Sequence, residues 1–126
     1  MCGLAGFLGS GSRADVRAMT RAMAHRGPDG EGFYEDAKSR VFLGHRRLAV
    51  RDVAGGQQPM PTADRAVWIV YNGEIYNDQE LRKELQFRGH QFGSNHSDTE
   101  VILQGYLAWG TDIADKLNGM FAFAIY

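Results

Sequence analysis

The run AVWIVY at residues 66–71 constrains the fold of this chain more than any other feature, because an almost unbroken apolar stretch of this length makes the clearest central strand in the sequence. A central strand needs cover, so a layered domain is expected. At 126 residues, with 44% hydrophobic and 23% charged, the chain is sized and composed for one compact soluble domain, or part of one.

Other segments fill in the layers. GLAGFLG at residues 3–9 is a short glycine-rich apolar run that suits a buried strand whose backbone approaches its neighbours closely. Shorter strands are expected over residues 32–35 and 41–45, and the glycine- and proline-bearing stretch 54–61 reads as a loop. A helix is predicted from Ser12, where Ser12 and Asp15 have capping-box spacing and Val16, Met19 and Met23 share a face; HRGPDG at 25–30 ends it. A second helix starts at Asn77, with Glu80 three residues on, Leu81 and Leu85 on one face and Gly89 as its stop. Ser97 and Glu100 open a third, which carries Val101, Ile102, Tyr106 and Trp109 and stops at Gly110 before a short helical turn over 112–117. GMFAFAIY at 119–126 reads as a buried strand with no turn signal after it, so the sequence is expected to end inside its own fold. No internal repeat or low-complexity tract is visible. Strands and helices mix without the steady alternation of a doubly wound sheet, so the expected class is α+β.

Several function classes are disfavoured. A net charge of -1 gives no electrostatic footprint for nucleic acid, and no stretch approaches the length of a membrane-spanning helix. The single cysteine cannot form an internal disulfide, and the N-terminus lacks a secretory pattern, so the cytoplasm is the expected location. Neither a Cys/His cluster with metal spacing nor a phosphate-binding glycine loop occurs, so neither zinc nor ATP is expected to bind this segment. The expected ligand is small and polar.

Cys2 is the sharpest chemical feature. Met1 precedes a small residue, which permits removal of the initiator, and Cys2 then carries a free α-amine beside its thiol. Amine and thiol titrate near pKa ~8 and ~8.5, so the amine is a ready base for the thiol near neutral pH. The alternative is a small buried hydrophobe. Tyr71-Asn72-Gly73-Glu74 follows the strongest strand, and there the Asn72 amide and the Gly73 N–H could aim at one oxygen as an oxyanion hole. Taken alone, Asn-Gly between apolar runs is better read as a hairpin turn. Arg47 suits two-point contact with a carboxylate and Asp98 could accept an ammonium, a pair that would recognise a free amino acid, although each alone reads as structural. A thiol hydrolase using His25 or His45 is the rival, without support from spacing, since Arg26 or Arg46 next door disfavours a charged imidazole.

Taken in order, MCGLAGF, HRGPDGEG, GHRRLAV with QQPM downstream, YNGEIYN, SDTEVIL and GMFAFAIY resemble the N-terminal glutaminase domain of asparagine synthetases, a class II, N-terminal-nucleophile amidotransferase, and the resemblance covers residues 1–126. Amidotransferases that make phosphoribosylamine, glucosamine 6-phosphate or glutamate share the cysteine start but usually differ around HRRL and NGEIYN. The resemblance implies a four-layer α/β/β/α sandwich of two antiparallel sheets, with later strands not in this sequence. It implies Cys2 as nucleophile, its α-amine as base, and Asn72 with the Gly73 N–H as oxyanion hole. Arg47, Leu48, Ala49, Val50 and Arg51, with Asn72, Gly73, Glu74 and Asp98, are the implied glutamine-binding residues, Glu74 or Asp98 taking the ammonium. Residues 25–29 form a family loop near the site with no assignable chemical role.

The same resemblance implies glutamine hydrolysis through a γ-glutamyl thioester. Ammonia would pass to a C-terminal synthetase domain where ATP and Mg2+ activate aspartate. Expected partners are L-glutamine, that synthetase domain and, as an open option, a second copy in a homodimer, with no nucleic acid and no membrane. Two other readings stay open: a glutamine-binding module without turnover, and an amidotransferase with another acceptor.

Overall fold

Two antiparallel sheets stack face to face with helices on their outer sides. The computed structural model describes residues 2–50 and 55–126. In the first sheet β1 (Gly3–Leu8), β2 (Gly30–Asp36) and β3 (Val41–Arg47) are ordered β1-β3-β2, with Gly3 opposite Arg46 and Gly30 opposite Arg47. In the second, β4 (Met60–Pro61), β5 (Trp68–Ile75) and β6 (Gly119–Ile125) are ordered β4-β5-β6, with Ile75 opposite Gly119. Helix α1 (Arg13–Ala22) covers the first sheet; α3 (Asp98–Trp109) covers the second, with α2 (Asp78–Phe87) packed beside it. A 3-10 turn (Gly110–Asp112) and the one-turn helix α4 (Ile113–Lys116) lead into β6. This is the expected α+β sandwich, layered α/β/β/α.

Strand alternation assigns each face. In β3, Phe42 and Gly44 face α1, and the missing side chain of Gly44 leaves the room that Val16 and Thr20 fill. Val41 and Leu43 face the other way and form the inter-sheet core with Val70 of β5, joined by Leu4, Tyr34, Trp68 and Ala124. Tyr34 and Trp68 stack across this interface at 4.2 Å between ring centroids. On its outer face β5 presents Ile69, Tyr71 and Ile75 to Ile102, Leu103 and Ile113. A third cluster, Leu81, Leu85 and Val101, joins α2 to α3.

Helix ends follow the sequence with informative exceptions. The Asp15 carboxylate accepts from both the N–H and the hydroxyl of Ser12, each at 2.7 Å. Ser97 Oγ accepts from the Glu100 N–H at 3.3 Å, but Glu100 turns its carboxylate to the Ser94 N–H and hydroxyl, so only half of that box forms. Asn77 does not cap α2: its amide donates to the Lys116 carbonyl and accepts from the Asn118 N–H, both at 2.9 Å, pinning the start of β6. Gly89 ends α2 as expected, with the N–H groups of Gly89 and His90 donating to the carbonyls of Gln86 and Leu85.

Three expectations are corrected. Met19 is 42% exposed; the buried face of α1 is Val16 and Thr20, whose hydroxyl bonds back to the Val16 carbonyl at 2.7 Å. β1 is an edge strand that is only partly buried, with Gly3 and Ala5 inside and Leu8 exposed. β6 is likewise an edge strand: Phe123 and Ile125 pack toward α3, but Met120 is 61% exposed. A periodicity argument says that a strand is apolar, not which neighbours cover it.

One polar contact crosses between the sheets. His45, 1% exposed on β3, faces the Tyr71 carbonyl of β5 with Nε2 at 3.1 Å. Burial pushes its pKa down from 6.5 to about 4, against the pull of the Tyr71 hydrogen bond and with help from the nearby Arg47 charge. The ring is therefore neutral at pH 7, and since a carbonyl only accepts, the proton is on Nε2.

Packing and titration give separate expectations. Ile102→Ala, at the α3–β5 contact, should lower unfolding free energy by about 2–5 kcal/mol, whereas Phe87→Ala, at a 95% exposed position, should stay within about 0.5 kcal/mol, as read by urea denaturation. The unfolded chain protonates His45 below pH 6.5 and the folded chain only near 4, so its contribution is full above 6.5 and declines as pH falls through that window, by about 3 kcal/mol in all. His45→Gln should flatten the stability profile between pH 7 and 4.5; an unchanged slope would assign the dependence to other groups.

Candidate active site

A cavity of about 290 Å³ opens where the start of β1, the end of β3, the middle of β5 and the first turn of α3 converge. Its walls include Cys2, Arg47, Leu48, Val50, Asn72, Gly73, Glu74 and Asp98, all singled out from sequence. At the small end of the ~300–1,000 Å³ range for small-molecule sites, it suits a ligand of amino-acid size. Arg51 and Met1 lie outside the described residues. Ala49 is not part of the lining; its N–H donates to Asp29 Oδ2 at 2.8 Å.

Cys2 is anchored by backbone. The Leu48 N–H donates to Sγ at 3.3 Å, and the thiol can donate to the Leu48 carbonyl at 3.7 Å. A thiolate would lose the second contact and keep the first, the one that stabilises negative charge. The segment behind Leu48 is held by the loop at 25–29, whose purpose sequence reasoning missed. Arg26 Nε donates to the Cys2 carbonyl at 3.2 Å, the Asp29 N–H donates to the Arg47 carbonyl at 3.0 Å, and Arg46 Nε donates to the Gly27 carbonyl at 2.9 Å. The loop is therefore a buttress for both the nucleophile and its anchor. Alternation also separates the paired arginines: Arg47 faces the cavity with His45, while Arg46 turns away to meet Glu31 at 3.2 Å.

The hairpin reading of Asn72-Gly73 is overturned, because β5 runs straight through both residues to Ile75. Reciprocal bonds between Trp68 and Tyr126, with the Tyr76 N–H on the Asn118 carbonyl, fix the register against β6. The even-numbered residues of β5 thus bond to β6, and Tyr71, Gly73 and Ile75 direct their N–H groups to the opposite edge. There the Tyr71 N–H donates to Gln58 Oε1 at 2.6 Å and the Ile75 N–H to Asp98 Oδ2 at 3.3 Å. Between them, the Gly73 N–H meets no comparable acceptor among the described residues. Gly73 also has to be glycine for space, since a Cβ there would fall 2.1 Å from the Met120 carbonyl oxygen.

Asn72 lines the cavity with its side-chain amide, whose acceptor, Oδ1, is buried without a partner among the described residues, while Nδ2 is the end able to donate to an anion. Asp98 is 7% exposed and accepts from the Tyr71 hydroxyl at 2.7 Å and from the Thr99 N–H at 3.0 Å, so its carboxylate is oriented before any ligand arrives. Glu74 lies on the exposed rim. The walls thus carry a thiol, a positively charged group and two carboxylates, which matches the polar ends of an α-amino acid. His45, which the rival reading paired with Cys2, and Gln58, which had been given no site role, also line the cavity. The His45 Nε2 is taken by Tyr71 and the hydrogen bonds to Cys2 Sγ come from Leu48, so among the described residues neither His25 nor His45 pairs with the thiol. Among the described residues no group of three or more metal-ligating side chains occurs, and no helix is long and apolar enough to cross a membrane.

Comparison with known proteins agrees with this arrangement. The sequence profile of the glutamine amidotransferase domain matches residues 1–126. Asparagine synthetase (glutamine-hydrolysing) 3 of Bacillus subtilis is 43% identical over 133 residues, covering 100% of this chain and 21% of that protein. Asparagine synthetase (glutamine-hydrolysing) 1 of Arabidopsis thaliana is 41% identical over 130 residues, with 99% of this chain and 21% of that protein covered. A putative asparagine synthetase (glutamine-hydrolysing) of Mycobacterium tuberculosis is 36% identical over 143 residues, with 100% and 22% covered. The chain spans about a fifth of the length of these relatives. With the profile matched from end to end, the chain belongs to the glutamine amidotransferase domain family.

Proposed function

We propose that Cys2 hydrolyses the side-chain amide of L-glutamine, with Asn72 and the Gly73 N–H as the oxyanion hole. The observation that carries this reading is the meeting, on one cavity, of the backbone-anchored Cys2 thiol with the Asn72 side-chain amide and the Gly73 N–H, which meets no acceptor among the described residues. Removal of Met1 frees the Cys2 α-amine, which takes the thiol proton; Sγ attacks the carboxamide carbon, and the carbonyl oxygen becomes an oxyanion facing Gly73 and Asn72. Collapse, with the proton held by the α-amine passed to the departing nitrogen, expels ammonia and leaves a γ-glutamyl thioester, which water hydrolyses to glutamate and free thiol. Arg47 takes the α-carboxylate, Glu74 or Asp98 takes the α-ammonium, and Leu48, Ala49, Val50 and Arg51 complete the glutamine-binding set. Position and electrostatics thus do most of the work, and a hydrogen-bonded carboxylate such as Asp98 needs little reorganisation to bind a cation.

The relatives are named for making asparagine, and by that analogy the ammonia serves ATP- and Mg2+-dependent amidation of aspartate in a synthetase domain of the parent protein. ATP and Mg2+ belong to that domain in this reading. L-glutamine is the ligand of the cavity described here, and the cytoplasm and a homodimer are the setting this reading carries.

Glutamate release from glutamine should be lost in Cys2→Ala, and mass analysis of the N-terminus should find active protein without Met1. Turnover that survives Cys2→Ala would overturn the mechanism. Asn72→Ala should reduce kcat by about 100-fold or more, the cost of one oxyanion donor, with little effect on KM. Arg47→Lys should act mainly on KM, since it keeps the charge and loses the two-point contact.

A further inference from the structure

β4 is only two residues long, so among the described residues one edge of β5 has no strand beside it beyond Ile69. Side chains take the place of that strand. At Tyr71 the carbonyl accepts from His45 Nε2 at 3.1 Å and the N–H donates to Gln58 Oε1 at 2.6 Å. Gln58 spends its other end on Thr99 Oγ1 of α3 at 3.4 Å, and the Tyr71 hydroxyl is held by Asp98 at 2.7 Å. The Tyr71 carbonyl belongs to the peptide that leads into Asn72, so on the edge away from β6 that peptide is held by His45, and the preceding one by Gln58.

We infer that His45 and Gln58 are positioning residues for glutamine hydrolysis: by holding the two peptides that flank Tyr71 they fix the direction in which the Asn72 amide and the Gly73 N–H face the reacting oxygen. This rests on the reading of Asn72 and Gly73 as the oxyanion hole. Two features favour it over a purely structural role. Both side chains line the cavity. Both converge on a single residue, the one immediately before the donors, so an error there is passed directly to the site.

The test compares kcat and KM for glutamate release in His45→Leu, His45→Gln, Gln58→Leu and Gln58→Glu, together with thermal melting and the rate of Cys2 alkylation by iodoacetamide, a displacement that forms no oxyanion. A displaced donor can cost about 100-fold in rate, so the two leucine variants should lose about 10- to 100-fold in kcat, with KM within about threefold and alkylation unchanged. His45→Gln retains an N–H of similar reach and Gln58→Glu retains the acceptor for the Tyr71 N–H, so each should recover most of the loss. The double leucine variant should lose less than the product of the singles, because both act through one residue. Unchanged kcat in folded leucine variants, a loss carried by KM, or a loss of alkylation in parallel with melting would each overturn the inference. Should one leucine variant fail to fold, the other and the two conservative variants decide. Wild-type protein without Cys2-dependent turnover would instead sink the oxyanion-hole reading, and this inference with it.

Discussion

A buried strand must find partners for the polar groups on both of its edges, and β5 has a full-length neighbour on only one of them. The opposite edge is completed piecemeal: by β4 at Ile69, by Gln58 and His45 at Tyr71, and by Asp98 at Ile75. Among the described residues, what is left over is the N–H of Gly73, a residue that lines the cavity holding the Cys2 thiol. The same arrangement sets the layers, since His45 reaches β5 from the first sheet and Gln58 and Asp98 tie it to α3. Site and scaffold are thus products of one hydrogen-bonding deficit.

The other half of the site comes from the first sheet. β3 ends at Arg47, and the chain beyond it would be a loose exit were it not tied back by the turn between α1 and β2. Arg26, Gly27 and Asp29 supply those ties in the space of four residues, reaching Cys2, Arg46 and both sides of Leu48. Each of these ties has a main-chain group at one end at least, so peptide planes on both sides of Leu48 and at Cys2 are restrained, which helps keep a reacting pair in register.

Much of this was legible beforehand, for reasons that differ by residue. The run at 66–71 revealed β5 because apolar continuity reports double-sided burial, and the Ser12–Asp15 pair marked α1 because capping chemistry is local. Cys2, Arg47, Asn72, Gly73 and Asp98 were nominated by type and order, and the fold brings all of them to one cavity. Long-range contacts were illegible. Asn72-Gly73 has local hairpin chemistry, but pairing with β6, more than forty residues on, keeps the strand straight. Asn77 has an N-cap composition, yet its amide is claimed by Lys116 and Asn118. His45 gave no hint of joining two sheets, nor Asp29 of fixing Ala49, because such partners are distant in sequence. Coverage by neighbours was illegible as well, which is why β1 and β6 were expected to be buried and Met19 to face inward.

The anchoring of Cys2 by the Leu48 main chain has a consequence for how a site like this can change. Every amino acid except proline offers the same N–H and carbonyl, so the sulfur contact at position 48 is indifferent to the side chain carried there. That side chain nonetheless forms part of the cavity wall. The shape of the pocket can therefore drift, or be redesigned, at position 48 while the environment of the reacting sulfur stays constant, which makes ligand fit and chemical competence separately adjustable at a single residue.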